Sequence, residues 1–249
     1  MRKQLMRLAA SVVVCWGLML GGAFGQPGQG PRETVNQNFT TKRPNTPTGL
    51  RFSAEYHAPG DKEGAPPYLR RIVFFPPGGV RYNTNVPAKC TASDAVLEAQ
   101  GPDACPPKSL IGHGTASGLF MFPVANDVEF HNFFHHTVVI NNTNEQILLV
   151  HSEGYTVVRG RIRRDGAVVY DTPACFPAPP GGCVDEYIIQ LKTTTNLPRI
   201  SRRVKGRKRV YARTPRHCPR RGWWRTVVRF VWEDGAVDSV PTRQPCRRN

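Results

Sequence analysis

Three histidines and a carboxylate crowd into Glu129-Phe130-His131-Asn132-Phe133-Phe134-His135-His136. Imidazole and carboxylate together are a natural donor set for zinc or copper. In an extended strand Glu129, His131 and Phe133 share one face, so two potential ligands converge there, with His135 as the third candidate. The competing reading is an aromatic-rich strand end whose polar positions face water, and no metal or other cofactor is expected. Nucleophilic catalysis finds less support, because the chain has no Gly-x-Ser-x-Gly elbow and no cysteine is left free if those behind the leader pair. A glycosidase-type carboxylate pair converges only in space, and Asp171, Asp185 and Glu186 stand out no more than other acids.

The most distinctive chemistry is cationic. The formal charge of +16 is unevenly distributed. Residues 26–198 hold 15 Lys/Arg against 15 Asp/Glu, whereas residues 199–249 hold 16 Lys/Arg against three acids, Glu233, Asp234 and Asp238. Arg199, Arg202, Arg203, Lys205, Arg207, Lys208 and Arg209 lead that run, and Arg213, Arg216, Arg220 and Arg221 continue it. On the strand that follows, Arg225 and Arg229 share a face with Trp223, Val227 and Val231. Arg159, Arg161 and Arg163 hold one side of an earlier strand. If these sides meet they form a basic surface with aromatic edges, suited to bidentate contacts with phosphate or carboxylate and to long-range attraction. The candidate anion-binding set is Arg202, Arg203, Lys205, Arg207, Lys208, Arg209, Arg225 and Arg229. The alternative is a solvated strand face.

The elements that position these groups begin behind a leader. Arg2, Lys3 and Arg7 precede the apolar run Leu8–Leu20, and Ala23 and Gly25 place small residues before a cut at Gln26, which predicts a signal peptide over 1–25. The run is shorter than the roughly 20 residues that a membrane-spanning helix needs. Cys15 lies inside it and lacks the flanking small residue of a lipidation site. The other six cysteines, Cys90, Cys105, Cys175, Cys183, Cys218 and Cys246, are an even set behind an export signal, which predicts disulfides. Six cysteines allow 15 pairings. Turn-rich or helical segments between neighbours favour Cys90–Cys105, Cys175–Cys183 and Cys218–Cys246, and no Cys-x-x-Cys spacing suggests a metal.

Gln26–Pro47 reads as a disordered leader rich in Gly, Pro, Asn and Thr. Residues 48–249 read as one domain. Strand candidates follow at Leu50–Tyr56, Tyr68–Phe75, Ile111–Leu119, Val128–Phe133, Thr137–Ile140, Ile147–His151, Tyr155–Arg163, Ala167–Tyr170, Tyr187–Thr195 and Trp223–Trp232. Asp165-Gly166 and Asp234-Gly235 are two-residue hairpin signals. One short helix is expected near 91–99. Many short strands with almost no 3.6-residue period predict an all-β fold, a β-sandwich of Greek-key or jelly-roll type, with a basic hairpin region over 199–249.

Two stretches carry a resemblance. Pro87-Ala88-Lys89-Cys90, Ala104-Cys105-Pro106 and Ser109-Leu110-Ile111-Gly112-His113-Gly114 form one block. Thr214-Pro215-Arg216-His217-Cys218-Pro219, Asp234-Gly235 and Pro245-Cys246 form the other. Together they resemble a family of secreted proteins of high-GC Gram-positive bacteria (actinobacteria) that has no assigned activity. The resemblance implies a shared fold and cysteine pairing and carries over no catalytic residue. The expectation is therefore a secreted, disulfide-stapled, non-enzymatic module of the envelope or extracellular space, whose basic surface binds anionic wall polymers or lipid headgroups. The alternative is a secreted hydrolase acting on envelope polysaccharide. Nucleic acid is an unlikely partner for an exported protein, and no membrane-spanning segment is expected in the mature chain.

Overall fold

A computed structural model of the chain describes residues 32–124, 127–151, 154–173, 187–204 and 206–247. The expected signal at 1–25, the Cys175–Cys183 pair, Asp185, Glu186 and Lys205 lie outside those residues. The first strands are β1 (Glu33–Phe39), β2 (Leu50–Tyr56), β3 (Leu69–Phe75), β4 (Arg81–Tyr82), β5 (Leu110–Val124) and β6 (Asp127–Asn142). They are followed by β7 (Glu145–His151), β8 (Tyr155–Ile162), β9 (Val168–Asp171) and β10 (Tyr187–Leu197). The basic region supplies β11 (Ser201–Val204), β12 (Arg207–Val210), β13 (Ala212–Arg213), β14 (Trp223–Trp232) and β15 (Val237–Pro245).

Eleven strands form one antiparallel sheet in the order β1-β2-β10-β5-β6-β7-β8-β9-β3-β14-β15. Its first and last strands lie side by side, so the sheet curls into a nearly closed barrel. The expected β-sandwich is thereby corrected. Both architectures bury alternate residues, so period-2 patterning cannot separate them; closure depends on what covers the two edges. Here the closing strand is β1, in a segment expected to be a disordered leader. Its inward positions are Glu33, Val35, Gln37 and Phe39, a set polar enough to hide the strand in the sequence.

The barrel wall follows the expected alternation. In β14 the odd positions Trp223, Arg225, Val227, Arg229 and Val231 face outward, and Trp224, Thr226, Val228, Phe230 and Trp232 are buried. The last three join Phe52, Tyr56, Leu69 and Ile72 in an aromatic-rich core. Burying a side chain of this size stabilises by about 1.5–3 kcal/mol. Val128–Phe133 and Thr137–Ile140, expected as two strands, belong to the single long strand β6, which pairs with β5 along nearly its whole length. In β10 a bulge between Gln190 and Lys192 resets the alternation. Ile188, Gln190, Thr193, Thr195 and Leu197 all line the interior as a result, which an uninterrupted alternation would not place on one face.

The helix forms as α1 (Asp94–Gln100) and runs into a 3₁₀ turn, Gly101–Ala104. It packs Leu97 against Ile140, Ile147 and Leu149 on the outside of the barrel, beside the Cys90–Cys105 disulfide. Arg159 ties it down, reaching Asp94 at 2.6 Å and Glu145 at 2.7 Å. The second disulfide, Cys218–Cys246, joins the segment before β14 to the end of β15. Both match the expected neighbour pairing.

Side chains close the seam between β1 and β15. At one end the Gln244 amide accepts the Phe39 N–H at 2.7 Å and donates to the Phe39 carbonyl at 2.9 Å, as a strand residue would. At the other end Arg32 pairs with Asp234 at 2.7 Å, and the Trp232 indole N–H is shared by Glu33 (3.1 Å) and Asp238 (2.8 Å). Burial, then the Asp238 carboxylate beside it, raise the Glu33 carboxyl from 4.5 to about 8. Glu33 therefore stays protonated well above the usual carboxylate range.

Two measurements check this seam. Gln244→Leu orphans the Phe39 N–H and carbonyl, and the expected cost is about 2–4 kcal/mol in denaturant unfolding, with faster amide exchange at Phe39. Glu33 binds its proton more tightly folded than unfolded. Its contribution to stability is full below pH 4.5, declines as pH rises, and is lost beyond about pH 8. The melting temperature of the wild type is expected to fall across that window and that of Glu33→Gln to change less; equal slopes would remove Glu33 from the seam's pH response.

Candidate functional site

At the end of the barrel where β14 begins, a two-residue ladder pairs β4 with β13, setting Arg81 opposite Arg213 and Tyr82 opposite Ala212. The alternation sends Tyr82 and Ala212 toward the core and leaves both arginines exposed. Beside this ladder stands the β11–β12 hairpin, in which Arg202 faces Arg209 and Arg203 faces Lys208. Between them lies an open cleft of about 520 Å³. Arg81, Lys208, Arg209, Arg213 and Arg216 supply five cations to its lining, and Asn83, Thr84, Asn85 and Asn144 supply neutral polar groups. No carboxylate lines it among the described residues.

The segments that frame the cleft are held by hydrogen bonds that leave most of the cationic heads available. Asn83 N–H donates to the Tyr211 carbonyl at 2.6 Å, and Thr214 N–H to the Thr46 carbonyl at 3.1 Å. The Thr214 hydroxyl donates to the Arg43 carbonyl at 2.8 Å. Arg213 donates to the Asn45 carbonyl at 2.9 Å, and Arg202 to the Lys108 carbonyl at 2.6 Å. Among the described residues none of the five cleft cations forms an ion pair. Like charges set directly opposite across strands are destabilising, and the two short ladders hold three such cationic pairs, Arg81/Arg213, Arg202/Arg209 and Arg203/Lys208, with no ion pair to an acid among the described residues.

The remaining cations separate into two groups. Arg225 and Arg229 lie on the outer barrel wall and do not line the cleft. Arg225 faces Arg243 across the β14–β15 ladder, and Trp223 is sandwiched between Arg221 at 4.2 Å and Arg243 at 4.5 Å from the ring centre. Arg229 lies over Phe75 at 5.2 Å. The strand expected to extend the basic surface does not join it. Arg159 is held by Asp94 and Glu145, Arg161 by Asp171 at 3.1 Å, and Arg163 by Asp165 at 3.2 Å. Two strands, β9 and β3, intervene between β8 and β14.

Arg81 is the functional candidate that sequence reasoning missed. It lies 127 positions before Lys208, and only the β4–β13 ladder brings it to the cleft; two residues carry no period to read. Arg213 and Arg216 belong to the basic run and were left outside the candidate set. The run itself was the signal that could have included them.

The histidine cluster does not assemble a metal centre. Glu129 and His131 pair with each other at 3.2 Å on an exposed part of β6. His135 is four residues further along the strand, about 13 Å away, where its ring stacks on Phe133 at 5.0 Å. Burial first, and the nearby His151 second, lower the pKa of its imidazole. No group of three His, Cys, Asp or Glu side chains with metal-binding geometry exists among the described residues. Asp171, a carboxylate considered for hydrolysis, is engaged by Arg71 and Arg161. Comparison of the chain with family models, curated proteins and solved structures finds no match.

Proposed function

We propose that the protein is a non-enzymatic binding module that holds an anionic polymer in the basic cleft. The observation that carries this reading is the cleft's lining, among the described residues, of five cations and no carboxylate. A polyanion laid along it would relieve the Arg81/Arg213 repulsion and neutralise Lys208, Arg209 and Arg216 beside it, and arginine offers two parallel donors to each phosphate or carboxylate. The partly aromatic Arg221–Trp223–Arg243 stack adds cations outside the cleft for a longer chain to follow.

The module is assigned to the extracellular or envelope space. Two disulfides support that assignment, since such bonds persist in oxidising compartments, and no helix among the described residues is long and apolar enough to cross a membrane. The leader over 1–25 and the resemblance to secreted actinobacterial proteins belong to the same reading. The hydrolase alternative gains nothing from the cleft. Among the described residues Glu33 and Asp238 share one indole N–H inside the β1–β15 seam, and Asp94 and Glu145 share the Arg159 guanidinium on the outer wall; neither pair lines the cleft.

Binding of a polyphosphate chain, followed by fluorescence anisotropy, tests the assignment. The expected affinity falls steeply with salt, as the Debye length shrinks from about 10 Å at 0.1 M to about 3 Å at 1 M. Replacing Lys208, Arg209, Arg213 and Arg216 by Ser is expected to weaken binding by about tenfold or more while the melting temperature stays nearly constant, because exposed charges contribute little to folding. Replacing Arg225 and Arg229 by Ser is expected to have a smaller effect. Binding that survives the fourfold change but is lost with Arg225 and Arg229 would move the site to the barrel wall. Preference for anionic vesicles over the free polymer would identify a lipid surface as the partner instead.

A further inference from the structure

The two ends of the sheet meet at β1 and β15, yet one strand within it keeps an open side. β6 pairs with β5 from Asp127 to Ile140. On its other side β7 begins only at the Thr137–Val150 pair. The β5–β6 hairpin therefore projects past β7, and residues 127–136 have no strand on that side among the described residues. At about 3.3 Å per residue this free edge is about 30 Å long. Alternate residues along it direct a backbone N–H and C=O outward with no ladder to receive them.

Edges of this kind are usually blunted by lysine, proline, a bulge or a covering segment. This one reads Asp-Val-Glu-Phe-His-Asn-Phe-Phe-His-His, with no lysine, arginine, proline or glycine, and its register with β5 runs unbroken. Phe130 and Phe134 share its outer face and are 53% and 63% exposed. Met121 and Leu119 of β5 stand beside Phe130 and Asn132 on that face. Open backbone groups flanked by exposed aromatic side chains are what a strand needs to add to another sheet.

A second copy of the same edge fits it. Run antiparallel about a two-fold axis at His131, the two edges set His131 opposite His131, Phe130 opposite Asn132 and Glu129 opposite Phe133. Each Phe130 then lies diagonal to Phe130 and Phe134 of the other copy, within the reach of aromatic side chains across strands. On the other face Glu129, which pairs with its own His131 at 3.2 Å, lies diagonal to the other copy's His131 as well. Two carboxylates thus flank two imidazoles, and no lysine or arginine opposes its like. The length fits too. Asp127 falls opposite His135, so each hairpin tip stops where the other copy's β7 begins. Such a contact uses the same patch on both copies and closes with two.

We infer that the protein forms a two-fold dimer in which residues 127–135 of β6 pair antiparallel with the same residues of a second copy. Asn144, beyond the other end of β6, lines the basic cleft, so the dimer leaves both clefts open and does not depend on what they hold.

Sedimentation velocity of the full chain across a range of concentrations tests the inference. The expected result is reversible exchange between monomer and dimer. Phe130→Lys with Phe134→Lys sets like charges across the axis and is expected to weaken dimerisation by about tenfold or more. Its circular dichroism spectrum is expected to be unchanged, because both side chains are exposed; should it misfold, Phe134→Lys alone serves. Directly opposite residues have Cα atoms about 4.5–5.5 Å apart, within reach of a disulfide. His131→Cys is therefore expected to give a covalent dimer on mild oxidation. Glu129→Cys, whose two copies would stand about 13 Å apart along the strands, is expected to give none. A wild type that stays monomeric overturns the proposal, as does a dimer that survives in the folded lysine variant. Failure of His131→Cys to cross-link, or cross-linking of Glu129→Cys, overturns the axis at His131.

Discussion

Closure of the sheet is the constraint on which the rest of the molecule depends. An eleven-strand antiparallel sheet left open would expose two ladders of unpaired backbone groups. Here β1 and β15 meet through side chains in place of a continuous backbone ladder. Gln244 substitutes its amide for a strand's peptide group at Phe39, and the Arg32–Asp234 and Glu33–Trp232–Asp238 contacts hold the other end. Such a seam is local and chemically specific. It brings a protonated carboxyl into a place where an ionised one would repel Asp238, so the geometry of closure and the proton on Glu33 are one property.

Closure also decides where charge goes. Among the described residues the barrel interior is lined by uncharged side chains, the surplus cations lie outside it, and the protein concentrates them instead of scattering acids among them. The contrast between β8 and β12 shows this. Arg159 and Arg161 of β8, and Arg163 just after it, each pair with an acid, on α1, β7, β9 or the following turn. In β12, Arg209 faces Arg202 and Lys208 faces Arg203. Paired surface ions contribute little to folding, so the β8 contacts are compatible with a solvated wall. Opposed like charges cost stability, so the β11–β12 hairpin carries a repulsion that the β8 contacts do not.

How much of this was legible depended on the range of the interaction. Strand identity in β2, β7, β8 and β14 follows from alternation within ten residues, and the strands lie where that pattern puts them. The neighbour disulfides Cys90–Cys105 and Cys218–Cys246 follow from the helix and hairpin they bracket. What could not be read was set by pairing at a distance. Glu33–Phe39 looks like spacer because its buried positions include Glu33 and Gln37, and the Trp232 indole that Glu33 meets is 199 residues away. Arg81 joins the cleft through a two-residue ladder. The bulge in β10 reverses which residues face inward, and nothing in Gln190-Leu191-Lys192 marks it. Sandwich and barrel differ only in whether the edges meet, which is a property of the seam and not of any strand.

The cleft and the barrel interior share one wall, and the chemistry of that wall explains how a cationic pocket and a neutral interior can be neighbours. Tyr82 lines both. Its ring packs at a tilt on Tyr211, 5.7 Å between centres. The Tyr211 hydroxyl accepts from the Gln146 amide at 2.9 Å, and the Gln146 carbonyl accepts from Tyr170 at 2.6 Å. Burial pushes the Tyr82 phenol up to about 12, so it is uncharged at any ordinary pH. The partition is thus a set of neutral side chains, of which Tyr211, Gln146 and Tyr170 are joined by hydrogen bonds. In β4 and β13 the period-2 alternation of two residues is enough to build it: Arg81 and Arg213 turn to solvent while Tyr82 and Ala212 turn inward. Strand geometry alone separates charge from hydrocarbon across a single layer of backbone.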